Sequence, residues 1–151
     1  MFYKLAGGNP VNILFNKKIT GCESSIIRSM IQEMMNCIKS WKALSDDDEY
    51  EFQLILNELI ANGTVHGNKG LCTKAIIALI EAIDLETICI TIQDEGTGFN
   101  YKDIFNGAYP CDLSLYSERG RGLKLIKLIC DDIAFNQSGN QIRISKSIRK
   151  S

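Results

Sequence analysis

The chain has 151 residues, of which 45% are hydrophobic and 23% charged, a length and composition that suit one compact domain. Its 17 basic and 18 acidic residues give a formal net charge of -1, so it lacks the positive excess expected of a protein that binds nucleic acid non-specifically. Every apolar run is shorter than the roughly 20 residues of a membrane-spanning helix, and nothing after Met1 resembles a secretory signal, so we expect a soluble, cytoplasmic protein.

The first part of the chain predicts two strands and a helix. Phe2 to Leu5 and Val11 to Phe15 are apolar stretches around Gly7-Gly8-Asn9-Pro10, so we expect two edge strands joined by a turn. From Ser24 to about Trp41, apolar residues recur at helical spacing, which predicts an amphipathic helix. Its methionines are typical either of a core stripe or of an adaptable surface for a partner, and the spacing favours the core.

A second helix is predicted after Ser45, which is a good N-cap residue. The acidic run at 46–49 places negative charge at the positive end of the helix dipole. We expect this helix to run to about His66 and to end at Gly67 in a left-handed conformation.

The middle of the chain predicts two strands and a long loop. Ala75 to Ile83 is nearly continuously apolar and Ile88 to Gln93 alternates, which indicates two adjacent antiparallel strands. Residues 95–119 are rich in Gly, Asn, Asp, Tyr and Ser. Because a loop of this length is usually functional, we predict a lid at 99–119.

The last part predicts a helix and two closing strands. The helix follows a glycine pair and includes Leu123, and the strands are Ile133 to Phe135 and Ile142 to Ile148, around Gly139-Asn140. Together the elements predict an α/β fold with a layer of helices on one sheet.

Six cysteines occur at positions 22, 37, 72, 89, 111 and 130 without a Cys-x-x-Cys pair. In a reducing compartment, buried cysteines behave as small hydrophobic residues. We therefore predict that they form neither a metal site nor a disulfide.

Three polar segments are candidates for chemistry, and the first lies on the second helix. Glu58, Asn62 and His66 are four residues apart and form one polar stripe, which in an isolated helix is usually a solvated side. An asparagine oxygen suits Mg²⁺, which takes one or two protein oxygens beside nucleotide phosphates and water. A carboxylate one turn away, that of Glu58, can accept a proton from an attacking hydroxyl group or orient that group.

The second segment is Asp94-Glu95-Gly96-Thr97-Gly98, directly after the alternating strand. Asp94 continues the parity of the apolar residues, so its carboxylate should point toward the helix layer. A carboxylate buried there needs hydrogen-bond donors, and the amino group of adenine is one. Gly96 and Gly98 let the backbone pass close to a flat base, although the bare pattern is also typical of a turn.

The third segment is Glu118-Arg119-Gly120-Arg121-Gly122-Leu123, which places a glycine pair at the start of a helix. Free N–H groups at a helix N-terminus bind phosphate, and glycine permits close approach. Arg119 or Arg121 can add positive charge. The pattern matches neither the Walker phosphate loop nor the dinucleotide fingerprint.

The order of Glu-x-x-x-Asn, Asp-x-Gly-x-Gly and Gly-x-Gly-Leu over about residues 50–130 resembles the GHKL-type ATP-binding domain shared by histidine kinases, gyrase and MutL. The leading helix, the size and the position of Glu58 resemble the serine/threonine kinases that act as anti-sigma factors. This resemblance implies the Bergerat fold, a two-layer sandwich in which helices cover one face of a mostly antiparallel sheet. Gly63 departs from the alanine usual at this family position.

The resemblance also implies ATP and Mg²⁺ as cofactors. Asn62 would hold the metal, Glu58 would be the base, and Asp94 would read adenine with Gly96 and Gly98 nearby. The phosphate-binding segment would comprise Arg119, Gly120, Arg121, Gly122 and Leu123.

The function implied by the resemblance is phosphorylation of a serine or threonine on a small anti-anti-sigma-type partner, linked to ATP-dependent binding of a sigma factor. One alternative is an ATP-binding regulatory module with little phosphoryl transfer. Another is the ATPase domain of a sensor histidine kinase, which is disfavoured because His66 is the only histidine and a helix-end role suits it better. The resemblance favours a homodimer, and we expect no direct contact with nucleic acid or membrane.

Overall fold

The structure is a computed structural model that describes residues 2–4, 10–98 and 118–149. Residues 99–117 of the predicted lid lie outside these ranges, and the surroundings of residues 118–120, which include Arg119 and Gly120, are not described either. The described strands are β1 (Phe2–Lys4), β2 (Pro10–Thr20), β3 (Ala75–Ala82), β4 (Thr87–Asp94), β5 (Asp132–Phe135) and β6 (Gln141–Ser147). The described helices are α1 (Ser24–Trp41), α2 (Asp46–Ala61), a π-helical segment (Asn62–Gly67) and α3 (Glu118–Ile129).

The described strands form one six-stranded sheet in the order β1-β2-β3-β4-β6-β5, and every neighbouring pair is antiparallel. Helices cover one face of this sheet, so the predicted α/β two-layer sandwich is confirmed. The predicted pairing of the third and fourth strands is also confirmed, with Ile80 opposite Ile90.

The core lies between the helices and the sheet. Ile80 and Ile90 lose all solvent exposure there, and full burial of such a side chain contributes about 1.5–3 kcal/mol. Methionines at 30, 34 and 35 are buried in this core, as the helical spacing predicts. Other members of the cluster are Phe15, Ile38, Phe52, Ile55, Leu56, Leu59, Ile76, Ile88, Ile92 and Ile144.

The prediction for β2 was wrong in its length and position. The strand continues to Thr20 and lies inside the sheet between β1 and β3. Lys17 and Lys18 are exposed. This charged stretch therefore does not look like a strand in the sequence, although its backbone is paired with β3. The alternation that sequence reasoning uses is lost there because Asn16, Lys17 and Lys18 are all exposed, so consecutive polar residues occupy both faces of this part of the strand.

The start of α2 agrees with the prediction, but its end does not. The Asp48 backbone N–H donates to Ser45 Oγ over 3.1 Å, which confirms the N-cap. After Ala61 the helix widens into the π-helical segment, and the Asn68 N–H donates to the Gly63 carbonyl five residues back. Gly67 is not left-handed; the left-handed residues follow it at Lys69 and Gly70.

The start of α3 differs from the prediction. The helix begins at Glu118, before the glycine pair. Gly120 and Gly122 therefore lie inside its first two turns instead of preceding it. Leu123 and Ile126 are the residues of this helix that enter the core.

The prediction that the cysteines form no disulfide was wrong. Cys22 and Cys72 are disulfide-bonded, with their Cα atoms 4.8 Å apart. The pairing of Thr20 with Ala75 brings the end of β2 to the start of β3 and so places these cysteines side by side. Cys37, Cys89 and Cys130 are free cysteines, and Cys111 lies outside the described residues.

Within the described ranges, none of the helices combines the length and apolar character needed to cross a membrane.

A partly buried ion-pair network ties β6 to α2. Lys146 Nζ lies 2.5 Å from Glu51 Oε2, and Arg149 Nη2 lies 2.7 Å from Glu51 Oε1. The Lys146 side chain is only 4% exposed. Burial alone would raise the pKa of Glu51, but Lys146 and Arg149 lower it below the ordinary value of 4.5.

We predict that Glu51→Gln lowers the free energy of unfolding at pH 7 by about 1–3 kcal/mol, because it leaves the buried Lys146 charge without a carboxylate. A lowered folded-state pKa stabilises the protein above pH 4.5, and this contribution is lost as the pH falls through the folded value. The difference between parent and variant should therefore shrink below pH 4.5. Urea unfolding at several pH values measures it.

The matched control is Glu49→Gln, which removes a carboxylate of the same helix from an exposed pair with Lys39. Exposed pairs contribute about 0–1 kcal/mol, so this variant should stay close to the parent. Equal losses for the two variants would contradict the role given to the Glu51 network.

Candidate active site

The three predicted segments meet on the helix-covered face of the sheet. Asn62, Asp94 and Leu123 line a small pocket between the π-helical segment, β4 and α3. A neighbouring cavity of roughly 370 Å³ is lined by seven residues, and Asn62 belongs to both spaces. The residues around the larger cavity are Glu58, Ala61, Asn62, His66, Arg121, Gly122 and Leu125.

Asp94 is the last residue of β4 and is 6% exposed. Its Oδ1 atom accepts a hydrogen bond from the Gly96 N–H over 2.7 Å. A Cβ at Gly67 would lie 2.1 Å from Asp94 Oδ2, and one at Gly96 would lie 2.8 Å from Oδ1. Both positions must therefore be glycine if the carboxylate is to keep its place.

Asn62 begins the π-helical segment and is 5% exposed. Within the part of the chain that the structure describes, its Nδ2 atom is buried without a hydrogen-bond partner. A buried amide group left unpaired costs about 1–3 kcal/mol, so the side chain retains capacity for a polar group in the cavity. Its backbone N–H is shared between the carbonyls of Glu58 and Leu59, at the point where the helix changes its winding.

Glu58 lies one turn before Asn62 and contacts α3. A Cβ at Gly122 would lie 2.1 Å from Glu58 Oε2 and 3.1 Å from its Cδ atom. Gly122 thus leaves room for the carboxylate under the first turns of α3. The predicted stripe of Glu58, Asn62 and His66 borders one cavity, even though the helix is no longer α-helical between the last two.

The third segment is only partly described. Arg121 is exposed at the rim of the larger cavity, and Leu123 is 1% exposed at the wall of the small pocket. The structure does not describe the Arg119 side chain or the surroundings of Gly120.

Asn68 is a site residue that the sequence did not indicate. It is 2% exposed, and its Oδ1 accepts a hydrogen bond from the Glu95 N–H over 2.8 Å. Its Nδ2 donates to the Ala75 carbonyl over 2.9 Å. One amide therefore joins the loop after Asp94 to the start of β3. The only sequence signal is an asparagine just after a helix end.

The β5–β6 turn holds the same loop from the other side. The Asp94 N–H donates to the Asn140 carbonyl over 2.9 Å, and Asn140 Nδ2 lies 3.4 Å from the Asp94 carbonyl oxygen. Gly98 has a φ of 85°, and a Cβ there would lie 1.7 Å from the Ser138 carbonyl oxygen. Sequence reasoning identified Gly139-Asn140 only as a turn.

The profile of the histidine kinase-like ATPase domain matches residues 25–146, which is more than half of the chain. The chain belongs to this family. The match spans all three segments and the Asn68 and Asn140 contacts, so the geometry described above lies within the shared domain.

Among curated relatives, the chain is 27% identical over 127 residues to the serine-protein kinase RsbW of Staphylococcus epidermidis, covering 81% of this chain and 80% of the relative. RsbW sequences from two strains of that species match with the same identity and coverage. The alignment therefore covers most of the length of this chain and of each relative.

The pocket beside Asp94 is narrow in this structure. It has a volume of about 10 Å³, roughly the space needed for one water molecule. Leu123 and Phe135 form part of its wall. A molecule larger than water can therefore enter this pocket only if these side chains or the first turns of α3 move.

Proposed function

We propose that this protein is an ATP-dependent serine/threonine kinase that phosphorylates a small anti-anti-sigma-type protein and regulates a sigma factor. The observation that carries the proposal is the meeting of Glu58, Asn62 and Gly122 around one cavity beside the Asp94 pocket. Phosphoryl transfer to a hydroxyl group uses a carboxylate beside the hydroxyl and an amide that helps to hold the metal at the phosphates. Glu58 and Asn62 can supply these two groups. The name of the relative, a serine-protein kinase, supports the same class of reaction.

The residues fit a magnesium nucleotide. Among the described residues, one atom of the buried Asn62 amide has no hydrogen-bond partner, and an amide can rotate to present its oxygen to a cation. Gly96 and Gly122 keep the backbone open at two points where a side chain would collide with Asp94 or Glu58. We therefore assign Asn62 to the metal, Asp94 with Gly96 and Gly98 to adenine, and the start of α3, residues 119–123, to the phosphates.

Each of these residues has a separate task in the proposed reaction. The Asp94 carboxylate accepts a hydrogen bond from the amino group of adenine and so selects the base. The Glu58 carboxylate orients the partner's serine or threonine hydroxyl and accepts its proton as the oxygen attacks. When bound, magnesium-ATP supplies the phosphoryl group and the charge that neutralises the phosphates.

The family resemblance extends the proposal to the surroundings of the site. Residues 99–119 would act as a lid that closes over the nucleotide, since they join the Asp94 loop to α3. The protein would work as a homodimer in the cytoplasm, with residues 1–151 as one ATP-binding domain. It would not contact nucleic acid or membrane directly.

The test is phosphorylation of candidate partners. The purified protein is incubated with γ-labelled ATP, Mg²⁺ and small proteins encoded near it, and label is sought on their serine and threonine residues. Stable label on a partner, absent when Mg²⁺ is chelated, supports the kinase. If the protein binds nucleotide and binds a partner but places no label on any such partner, the kinase proposal is overturned.

A second candidate is a binding module with little phosphoryl transfer. It is favoured by the narrow pocket, because a nucleotide must displace Leu123 or Phe135. Such a displacement can reshape a partner-binding surface without chemistry. The same experiment separates the two functions, since the module binds both ATP and a partner but leaves the partner unlabelled.

We predict that Asn62→Ala weakens nucleotide binding mainly when Mg²⁺ is present, because it removes the only protein oxygen that we assign to the metal. A loss of about 10-fold or more is expected with Mg²⁺ and little change with a chelator. Calorimetric titration with ATP measures both conditions. Asn57→Ala is the control, since Asn57 is exposed on the same helix. Equal binding by parent and Asn62→Ala at every Mg²⁺ concentration would exclude this role.

A further inference from the structure

One end of the disulfide lies on the loop that begins at Asn68, a residue of the candidate site. Cys22 follows β2, and Cys72 lies in the loop between the π-helical segment and β3. Fifty residues separate the two cysteines in sequence. The bond therefore fastens the loop at 68–74 to the end of another strand.

That loop begins with the residue that supports Asp94. Asn68 joins the loop after Asp94 to β3 through its amide group. The residues after it are exposed up to position 73 and are held by turn hydrogen bonds, such as Gly70 N–H to the Thr64 carbonyl over 2.9 Å. Between Asn68 and Ala75, the disulfide is the covalent anchor of an otherwise exposed segment.

We propose that Cys22 and Cys72 form a reversible thiol–disulfide modification site that controls nucleotide affinity, with a low-molecular-weight disulfide as the oxidant. This inference rests on the proposed function, because it assigns ATP to the Asp94 pocket. The disulfide fixes the loop that carries Asn68 and so holds Asp94 ready for adenine.

The chemistry is ordinary thiol–disulfide exchange. One cysteine thiolate attacks a sulfur of the small disulfide, forms a mixed disulfide and releases one small thiolate. The second cysteine thiolate attacks the protein sulfur of that mixed disulfide and releases the other small thiolate. The two protein thiols lose two electrons and two protons in total, and the small disulfide is reduced to two thiols.

The position of the pair makes the reaction selective. Cys72 is exposed and Cys22 is half-buried, so a small disulfide can reach them. Burial raises the pKa of Cys89, and it raises that of Cys130 to about 12. These two thiols stay protonated at neutral pH, and the protonated thiol is not the nucleophile. Burial also raises the pKa of Cys37. Among the cysteines that the structure describes, exchange should therefore start at the pair.

The expected effect is a coupling between two sites. Ordering a loop before binding removes part of the entropy cost of binding, so oxidised protein should bind ATP about 5-fold more tightly or better. Linkage requires the reverse as well: saturating ATP must make the disulfide harder to reduce by the same factor. A purely structural disulfide distant from the site would show neither effect.

The experiment compares protein equilibrated with oxidised glutathione and protein reduced with dithiothreitol. Alkylation and mass measurement count the free thiols, and calorimetric titration gives ATP affinity. The double variant Cys22→Ser with Cys72→Ser should bind ATP like the reduced parent in both buffers. Cys37→Ser is the control and should keep the redox response.

A measurement made without nucleotide distinguishes failure of the proposed redox control from failure of the proposed function. Hydrogen exchange of residues 67–74 and 94–98 should be slower in oxidised protein than in reduced protein. If ATP fails to bind in either state, the proposed function fails, whereas faster exchange on reduction still supports the control of the loop. Equal exchange and equal ATP affinity in the two states, or no loss of two thiols with oxidised glutathione, overturns the inference.

Discussion

Glu58→Gln is expected to lower phosphoryl transfer to the partner by roughly 100-fold or more while ATP affinity changes little. Glutamine keeps the shape of the side chain that lies against Gly122 but cannot accept the hydroxyl proton. The loss should therefore fall on the chemical step. Single-turnover phosphorylation beside nucleotide titration of both proteins separates chemistry from binding.

The control for this variant is Glu49→Gln, which makes the same change on the same helix away from the cavity. It should transfer phosphate at the parent's rate. Partner binding should survive in both variants. Transfer by Glu58→Gln at the parent's rate would end the assignment of Glu58 as the base, and equal losses in both variants would point to a general effect on α2.

Local sequence patterns were sufficient for the elements that carry most of the site. Glu58 and Asn62 were placed together because they are one helical turn apart. Asp94 was placed under the helix layer because strand parity fixes the side to which it points. In both cases neighbours in the chain determine the local geometry. That the helix and the strand meet in one region was implied only by the family resemblance.

The supporting contacts depend on residues far apart in sequence. Asn68 and Glu95 are 27 residues apart, and Asn140 and Asp94 are 46 residues apart. The π-helical segment is also set by tertiary contacts, because Gly67 is packed against Asp94. A helical pattern alone predicts an α-helix to His66 followed by a left-handed glycine, and nothing local indicates that the glycine is needed for close packing.

The disulfide also depends on residues far apart in sequence and was missed for that reason. Composition indicated free cysteines, whereas the antiparallel pairing of β2 with β3 places Cys22 next to Cys72. Because β2 was predicted to end at Phe15, its far end could not be placed beside the start of β3. Because the second half of β2 was not predicted, neither the disulfide nor the anchoring of the loop at 68–74 could be predicted.

Gly67→Ala is expected to reduce ATP affinity by roughly 100-fold or more, because the new methyl group would lie 2.1 Å from Asp94 Oδ2 and must displace the carboxylate that reads adenine. Gly67 lacks a positive φ, so alanine adds no backbone strain. Overpacking should cost about 1–3 kcal/mol, and the protein should remain folded. ATP titration and thermal unfolding without nucleotide measure the two effects.

The matched control for Gly67→Ala is Gly70→Ala. Gly70 has a φ of 66° and no heavy atom within 4 Å of a Cβ, so alanine there costs about 1–2 kcal/mol of backbone strain without touching Asp94. The two variants should lose similar stability. Gly70→Ala can act on the site only through the loop at 68–74, so it should lose no more than about 5-fold in nucleotide affinity, far less than Gly67→Ala. Parent-like ATP binding by Gly67→Ala would remove Asp94 from the base pocket, since its carboxylate cannot keep its present position beside that methyl group.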